Sequence, residues 1–296
     1  MPAPVPPGFT RGPIIFFAPF VDDRSTDRLL QSFWDEIGSY GARVLIVSTD
    51  AAGEPALEHL RTWFAAAEVD SMAVLSVRSR TDALEAGLVA QVENATGILI
   101  VDTSPLRFTS IFGGTPVAQA IRRANARGRA VGGIGRAGAV LCQHMLTMED
   151  AAPTPGPLLH RSLIQFAPGL GIVNRLAVSC ADESGAVART HLGRLLTAVA
   201  YNPFLIGVAL DPDTGAAVYP DSTLEIFGVG NALVVDGWQI THTDLHLRND
   251  NDPVSVMGVQ VHVLSHGYTY HLDTHIPQRP PDTEIPKEGY EQFGSF

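Results

Sequence analysis

The sequence predicts a doubly wound α/β domain, with a mostly parallel sheet flanked by helices and a β-rich C-terminal portion. Three observations carry this reading. The apolar runs PIIFF (13–17), ARVLIVS (42–48) and TGILIV (96–101) are continuous rather than alternating, as in strands covered on both faces. The stretches between them have helical apolar spacing. The connections are a few residues long, so strand and helix alternate as in a parallel sheet.

The first dozen residues are proline-rich and read as an arm over 1–12. After strand Pro13–Phe17, Ser25 or Thr26 can cap a helix through Ile37 whose Leu29, Leu30, Phe33 and Ile37 share one face. Strand Ala42–Ser48, helix Pro55–Ala67 and strand Ser71–Ser76 follow, then a loop bearing Arg78 and Arg80. A helix from Thr81 or Asp82 leads to strand Thr96–Val101, which ends at Asp102. A polar loop past Arg107 and Thr109 reaches Gly113-Gly114, then helix Pro116–Ala126. Residues 129–145, RAVGGIGRAGAVLCQHM, read as an apolar strand, a glycine turn with Arg136 at its tip, and an apolar helix.

Beyond His144 the pattern loosens. Ala151–Pro157 is a proline-rich surface loop, Gly171–Ser179 contains a strand, and Ala181–Gly185 is polar. Helix Val187–Tyr201 carries Arg189, His191 and Arg194. Short strands are expected at Leu205–Leu210, Ala216–Tyr219, Leu224–Val229 and Asn231–Val235, with Val259–Leu264 and Tyr268–Leu272 as a hairpin. One domain over 13–277 is expected, followed by a polar tail over 278–296.

Bulk composition narrows the function. The chain has 296 residues, 45% hydrophobic, and a formal charge of -11, which disfavours nucleic acid and anionic membrane as partners. No apolar run approaches the ~20 residues of a membrane helix, and no basic region precedes an apolar one at the N-terminus. A cytoplasmic location is expected. Cys142 and Cys180 sit in apolar runs and read as small buried residues. With His144 they make a weak metal set, and metal binding by His262, His266, His271 and His275 has equally little support. No metal or cofactor is expected.

The glycine turn allows three readings. Gly133, Gly135 and Gly138 spell a dinucleotide fingerprint, but four strands precede it and its acidic partner is missing. A nucleophile elbow also needs small residues around a lifted side chain. Gly135, Ala137 and Gly138 supply them, yet the lifted residue is Arg136, no nucleophile at neutral pH. At a helix N-terminus that arginine would be placed for an external anion or a nearby carboxylate. The bland reading is a solvated surface arginine.

The segments VRSRTDA (77–83), LRFTSIFGGTP (106–116), RAGAV (136–140), GLGI (169–172), LGRLLTAVAYNP (192–203), GVALDPDT (207–214), GNALVVDG (230–237) and VHVLSHG (261–267) resemble the cyanophycinase family, in order and spacing, over roughly residues 13 to 277. These are serine peptidases related to peptidase E and akin to the class I glutamine amidotransferase fold. The resemblance implies a homodimer. It also places Arg136 at the family's nucleophilic serine. The family's histidine base falls in SCADESGAVAR (179–189), where this chain has no histidine, and its acidic third member falls at Pro212. Family arginines that bind substrate match Arg189 and Arg194, with His191 replacing another.

Together these readings predict a fold that has lost Ser–His–Glu chemistry. The expected site holds Arg136, Arg189, Arg194, Gly135 and Ala137 for binding a small anionic or zwitterionic ligand. Glu183, His191 and Asp102 are the candidate acid–base groups. For each carboxylate the competing reading is a salt bridge, and for His191 a helix-surface histidine. A non-catalytic binding protein is the alternative. A hydrolase using Ser179, Ser184 or Thr103 is a weaker one.

Overall fold

The computed structural model describes residues 2–21, 23–49, 54–147, 156–180 and 188–281. Five parallel strands build the centre: β1 (Ile14–Phe17), β2 (Arg43–Ser48), β3 (Ser71–Ser76), β4 (Gly97–Val101) and β5 (Ala130–Ile134), in the spatial order β1-β5-β4-β2-β3. Between them run α1 (Asp23–Glu36), α2 (Glu54–Ala66), α3 (Ala86–Asn94), α4 (Pro105–Phe112) and α5 (Pro116–Ala126). The chain steps outward from β1 to β2 to β3 and then returns through β4 to β5. Right-handed crossovers place outward and returning helices on opposite faces. Accordingly Leu29, Phe33, Leu60 and Phe64 pack on Ile15, Phe17, Val44 and Ile46. On the other face Val92, Phe108, Phe112 and Ile121 pack on Ile14, Phe16, Leu45 and Val47.

The second half adds β6 (His144–Thr147), β7 (Gln165–Pro168), β8 (Leu176–Cys180), α6 (Ala188–Tyr201), β9 (Ile206–Leu210), β10 (Thr214–Val218), β11 (Thr223–Gly228) and β12 (Ala232–Asp236). It closes with β13 (His242–Thr243), β14 (Val256–Met257), β15 (Gln260–Leu264), β16 (Thr269–His271) and β17 (Ile276–Gln278). β10, β11, β16 and β17 extend the central sheet antiparallel beyond β1, to nine strands. β15, β12, β9 and β8 form a separate four-stranded sheet. Its outer face is covered by Leu195, Ala198 and Val199 of α6. The two sheets share the larger core, where Val178, Val208 and Val234 meet Val140 and Leu224.

Several expectations change. The glycine turn runs into a 3-10 helix, Gly135–Leu141, and not into an α-helix. The cause is competition for carbonyls. Leu170 N–H donates to Val140 O at 2.7 Å, Ile172 N–H to Leu141 O at 2.9 Å and Gly171 N–H to Cys142 O at 3.2 Å, taking the acceptors that a continuing helix needs. Cys142 and His144 therefore do not lie on a helix: Cys142 bridges to Val173, and His144 opens β6.

The polar loop after Asp102 is instead helix α4, whose Phe108, Ile111 and Phe112 are buried. The expected hairpin is split. β15 pairs with β12, whereas β16 pairs with β11. At the turn Gly267 N–H donates to Ile226 O, so the chain crosses between sheets rather than closing on itself. Most of the Ala151–Pro157 loop, the Ala181–Gly185 segment and the tail from residue 282 lie outside the described residues.

Candidate functional site

The parallel strands end almost in line. Phe17 pairs with Ile134, Ile134 with Val101, Ile100 with Val47 and Ser48 with Ser76. In such sheets ligands bind at the carboxyl edge, so the residues just beyond these ends build the site. At the middle of that edge, past β5, stand Gly135 and then Arg136.

Gly135 has φ +56, a conformation open to glycine at little cost. The turn then folds back on its own strand: a Cβ on Gly133 would lie 2.8 Å from the Gly138 Cα. Pro19, from the loop after β1, closes over Gly135. From across the turn, a Cβ on Gly169 would lie 2.1 Å from the Cys142 carbonyl. RAGAV and GLGI, two of the segments read in the sequence, are thus pressed together. Gly135 and Ala137 are buried and Arg136 is half-buried. The guanidinium is the functional group this turn presents. The expected helix-terminus field is not the reason for its placement, because a 3-10 segment of seven residues lacks a sustained α-helical dipole.

Asp102, expected as an acid–base group, is engaged by its neighbours. Its carboxylate accepts from Thr49 N–H at 2.7 Å, Thr49 Oγ1 at 2.6 Å and Ser104 N–H at 2.9 Å, at 5% exposure. It ties the end of β2 to the start of α4. On the other side of β1, Asp213 plays a similar part that attention to Pro212 alone overlooks. Asp213 accepts from Val21 N–H at 2.8 Å and donates its own N–H to Pro19 O at 3.2 Å, holding the loop that covers Gly135.

His191 is not a surface histidine. It shares the buried stripe of α6 with Leu195 and Ala198, and its Nδ1 lies 2.9 Å from Ser179 Oγ on β8. Ser179 is 1% exposed, beneath the helix and within its strand rather than beyond the strand end. Arg194 is half-buried one turn further along α6. Arg189 lies in the first turn of α6, its side chain outside the described residues, as is all of Glu183. Among the expected residues, then, the structure assembles Gly135, Arg136 and Ala137 on one turn and fixes Asp102 beside it.

The C-terminal histidines fall elsewhere. His275 Nδ1 pairs with the fully buried Asp236 carboxylate, which also accepts from Tyr270 Oη, and Trp238 stacks on the His275 ring. Among the described residues no group of three or more His, Cys, Asp or Glu side chains is arranged to hold a metal. No described helix is long and apolar enough to cross a membrane.

No protein-family model matches the chain. A cyanophycinase from Nostoc sp. is 29% identical over 248 residues, covering 82% of this chain and 80% of that protein. A cyanophycinase from Geminocystis herdmanii is 28% identical over 252 residues, covering 84% and 89%. Among solved structures, a peptidase from an acI-B1 actinobacterium superposes with TM-score 0.64 at 17% identity, over 89% of this chain and 98% of its own. The chain is similar to cyanophycinases over most of its length and has a peptidase-like α/β fold. A putative peptidase E protein from Listeria monocytogenes has the same kind of fold at TM-score 0.50 and 11% identity. Within this cyanophycinase-like scaffold the β5 turn is the point that the family resemblance assigns to the nucleophile, and in this chain it carries Arg136.

Proposed function

We propose that this chain is a cyanophycinase-like protein that does not run Ser–His–Glu peptidase chemistry and instead binds a small carboxylate- or amino-acid-derived molecule, with Arg136 holding its anionic group. The enzyme reading is a repurposed catalyst using acid–base or electrostatic chemistry, such as condensation, cyclisation or elimination. The observation that supports the binding role is Arg136 itself, a half-buried guanidinium on the rigid turn at the middle of the sheet's carboxyl edge. A guanidinium offers a planar fork of donors matched to carboxylate.

A hydrolase built on Ser179 has little support. A nucleophile must reach the substrate and its base together, and Ser179 is covered by α6. A second reading, a non-catalytic ligand- or partner-binding protein, is favoured by the engagement of Asp102, whose carboxylate is already shared among Thr49 and Ser104.

The test has two parts. The full chain is incubated with a fluorophosphonate probe and with β-aspartyl dipeptides; labelling or turnover overturns the loss of peptidase chemistry. Arg136→Ala is then compared with the unmodified chain in thermal shift with small carboxylates. Loss of the ligand-induced shift, read against the variant's own unliganded midpoint, is the expected result. An undiminished shift overturns the anion site.

A further inference from the structure

We infer that the ligand carries two anionic groups, and that Arg107 is the specificity-determining contact for the second. This rests on the reading of Arg136 as the first contact.

β4 is the immediate neighbour of β5, and Val101 is in register with Ile134. Adjacent strands lie about 4.8 Å apart. The chain leaving β4 passes Asp102 and enters α4 at Pro105, so Arg107 stands in the first turn of α4, at the same carboxyl edge as Arg136. α4 packs against the 3-10 turn that carries Arg136.

The setting of Arg107 is rigid. Asp102 holds the entry to α4 through Ser104 N–H. Phe108 and Phe112 stack in the core at 4.5 Å between centroids. Arg80 closes the far end by donating to the carbonyls of Ser110 at 3.2 Å and Gly113 at 2.8 Å.

Arg107 is exposed and its guanidinium has no ion-pair or hydrogen-bond partner among the described residues, whereas Arg80 donates through Nη1 to the carbonyls of Ser110 and Gly113. The nearest described carboxylate along the chain, Asp102, is buried and occupied by Thr49 and Ser104. It does not neutralise Arg107. A second cation on the same edge lowers the affinity for a lone ammonium and raises it for a second anion. With side chains that reach several ångströms, the pair suits two anionic groups about 5–10 Å apart. That spacing describes a dicarboxylate of the size of an acidic amino-acid derivative.

The full chain is titrated by calorimetry with succinate, glutarate and adipate, and with butyrate as the single-charge control. At least one dicarboxylate is expected to bind about tenfold tighter than butyrate. Arg107→Ala should remove that preference, weakening the dicarboxylates about tenfold and butyrate by much less. Arg107→Lys, which keeps the charge without the fork, should restore part of it. Arg136→Ala should weaken all four ligands. If Arg107→Ala keeps the dicarboxylate preference, the second contact is overturned while the Arg136 reading stands. If Arg136→Ala leaves all four affinities unchanged, the Arg136 reading fails, and this inference fails with it. Equal affinities for butyrate and every dicarboxylate overturn the two-anion ligand alone.

Discussion

Ser179 Oγ and His191 Nδ1 lie 2.9 Å apart, buried between strand β8 and helix α6. The pair looks like two members of a catalytic triad, yet its position assigns it a different task. It fastens the helix that carries Arg194 to the small sheet. Ser179→Ala leaves a buried imidazole nitrogen without that partner, which costs about 1–3 kcal/mol. Chemical denaturation should show a lowered midpoint with an unchanged slope. Fluorophosphonate labelling of the unmodified chain that vanishes in Ser179→Ala would contradict this structural role.

The glycine contact behind the elbow makes a second prediction. A Cβ at position 169 would meet the Cys142 carbonyl at 2.1 Å, and backbone cannot swing aside as a side chain does. Gly169→Ala should therefore destabilise the fold by about 1–3 kcal/mol. It should also impair carboxylate binding, because the turn bearing Arg136 is held by this segment. Gly87→Ala, where a Cβ meets nothing within 4 Å, is the control and should be neutral or mildly stabilising. A melting temperature for Gly169→Ala equal to that of the control would refute the packing argument.

Asp102 provides a third. If its carboxylate serves as a brace, Asp102→Ala releases Thr49 and Ser104 together and should cost about 2–4 kcal/mol. Asp102→Asn retains an acceptor oxygen and should cost less. Proteolysis of the segment joining β4 to α4 should accelerate in the order native, Asn, Ala.

The alkaline limit of stability is a fourth. Burial, then the hydrogen bond to Asp236, pushes the Tyr270 phenol well above the usual tyrosine range. Burial and the carboxylates of Glu36 and Glu225 do the same for Tyr219. Unfolded tyrosine ionises near pH ~10. The folded state resists that ionisation, so the stabilisation is complete below pH ~10 and is lost as pH rises above it. Urea midpoints measured from pH 8 to 11 should fall, and fall less steeply in Tyr270→Phe and Tyr219→Phe. Parallel curves for all three proteins would exclude these phenols as the cause.

Much of the architecture was legible in the residues themselves. Continuous apolar runs such as ARVLIVS and TGILIV read as strands buried on both faces, and the structure places β2 and β4 at the interior of the large sheet. The stripe Leu29, Leu30, Phe33 and Ile37 is fully buried, as helical spacing required. The position of Arg136 at a turn after an apolar strand was equally readable, because local steric demands on glycine are written in sequence.

Other features depended on partners distant in the chain. Nothing near Val140 or Leu141 announces that the amides of residues 170–173 will take their carbonyls and stop an α-helix. His191 reads locally as a helix histidine; only its pairing with Ser179 across β8 makes it a buried tie. Val259–Leu264 and Tyr268–Leu272 have hairpin spacing, and only the competing edges of β12 and β11 draw them into separate sheets. Asp102 reads as a free acid until Thr49, more than fifty residues earlier, claims it. By itself the sequence determined the α/β class, the family likeness and the arginine at the elbow, because these rest on local periodicity and backbone geometry. The tertiary structure alone decided which polar groups remain open on the rim and which are consumed as braces, because hydrogen-bond satisfaction is settled between segments that meet only in the folded chain.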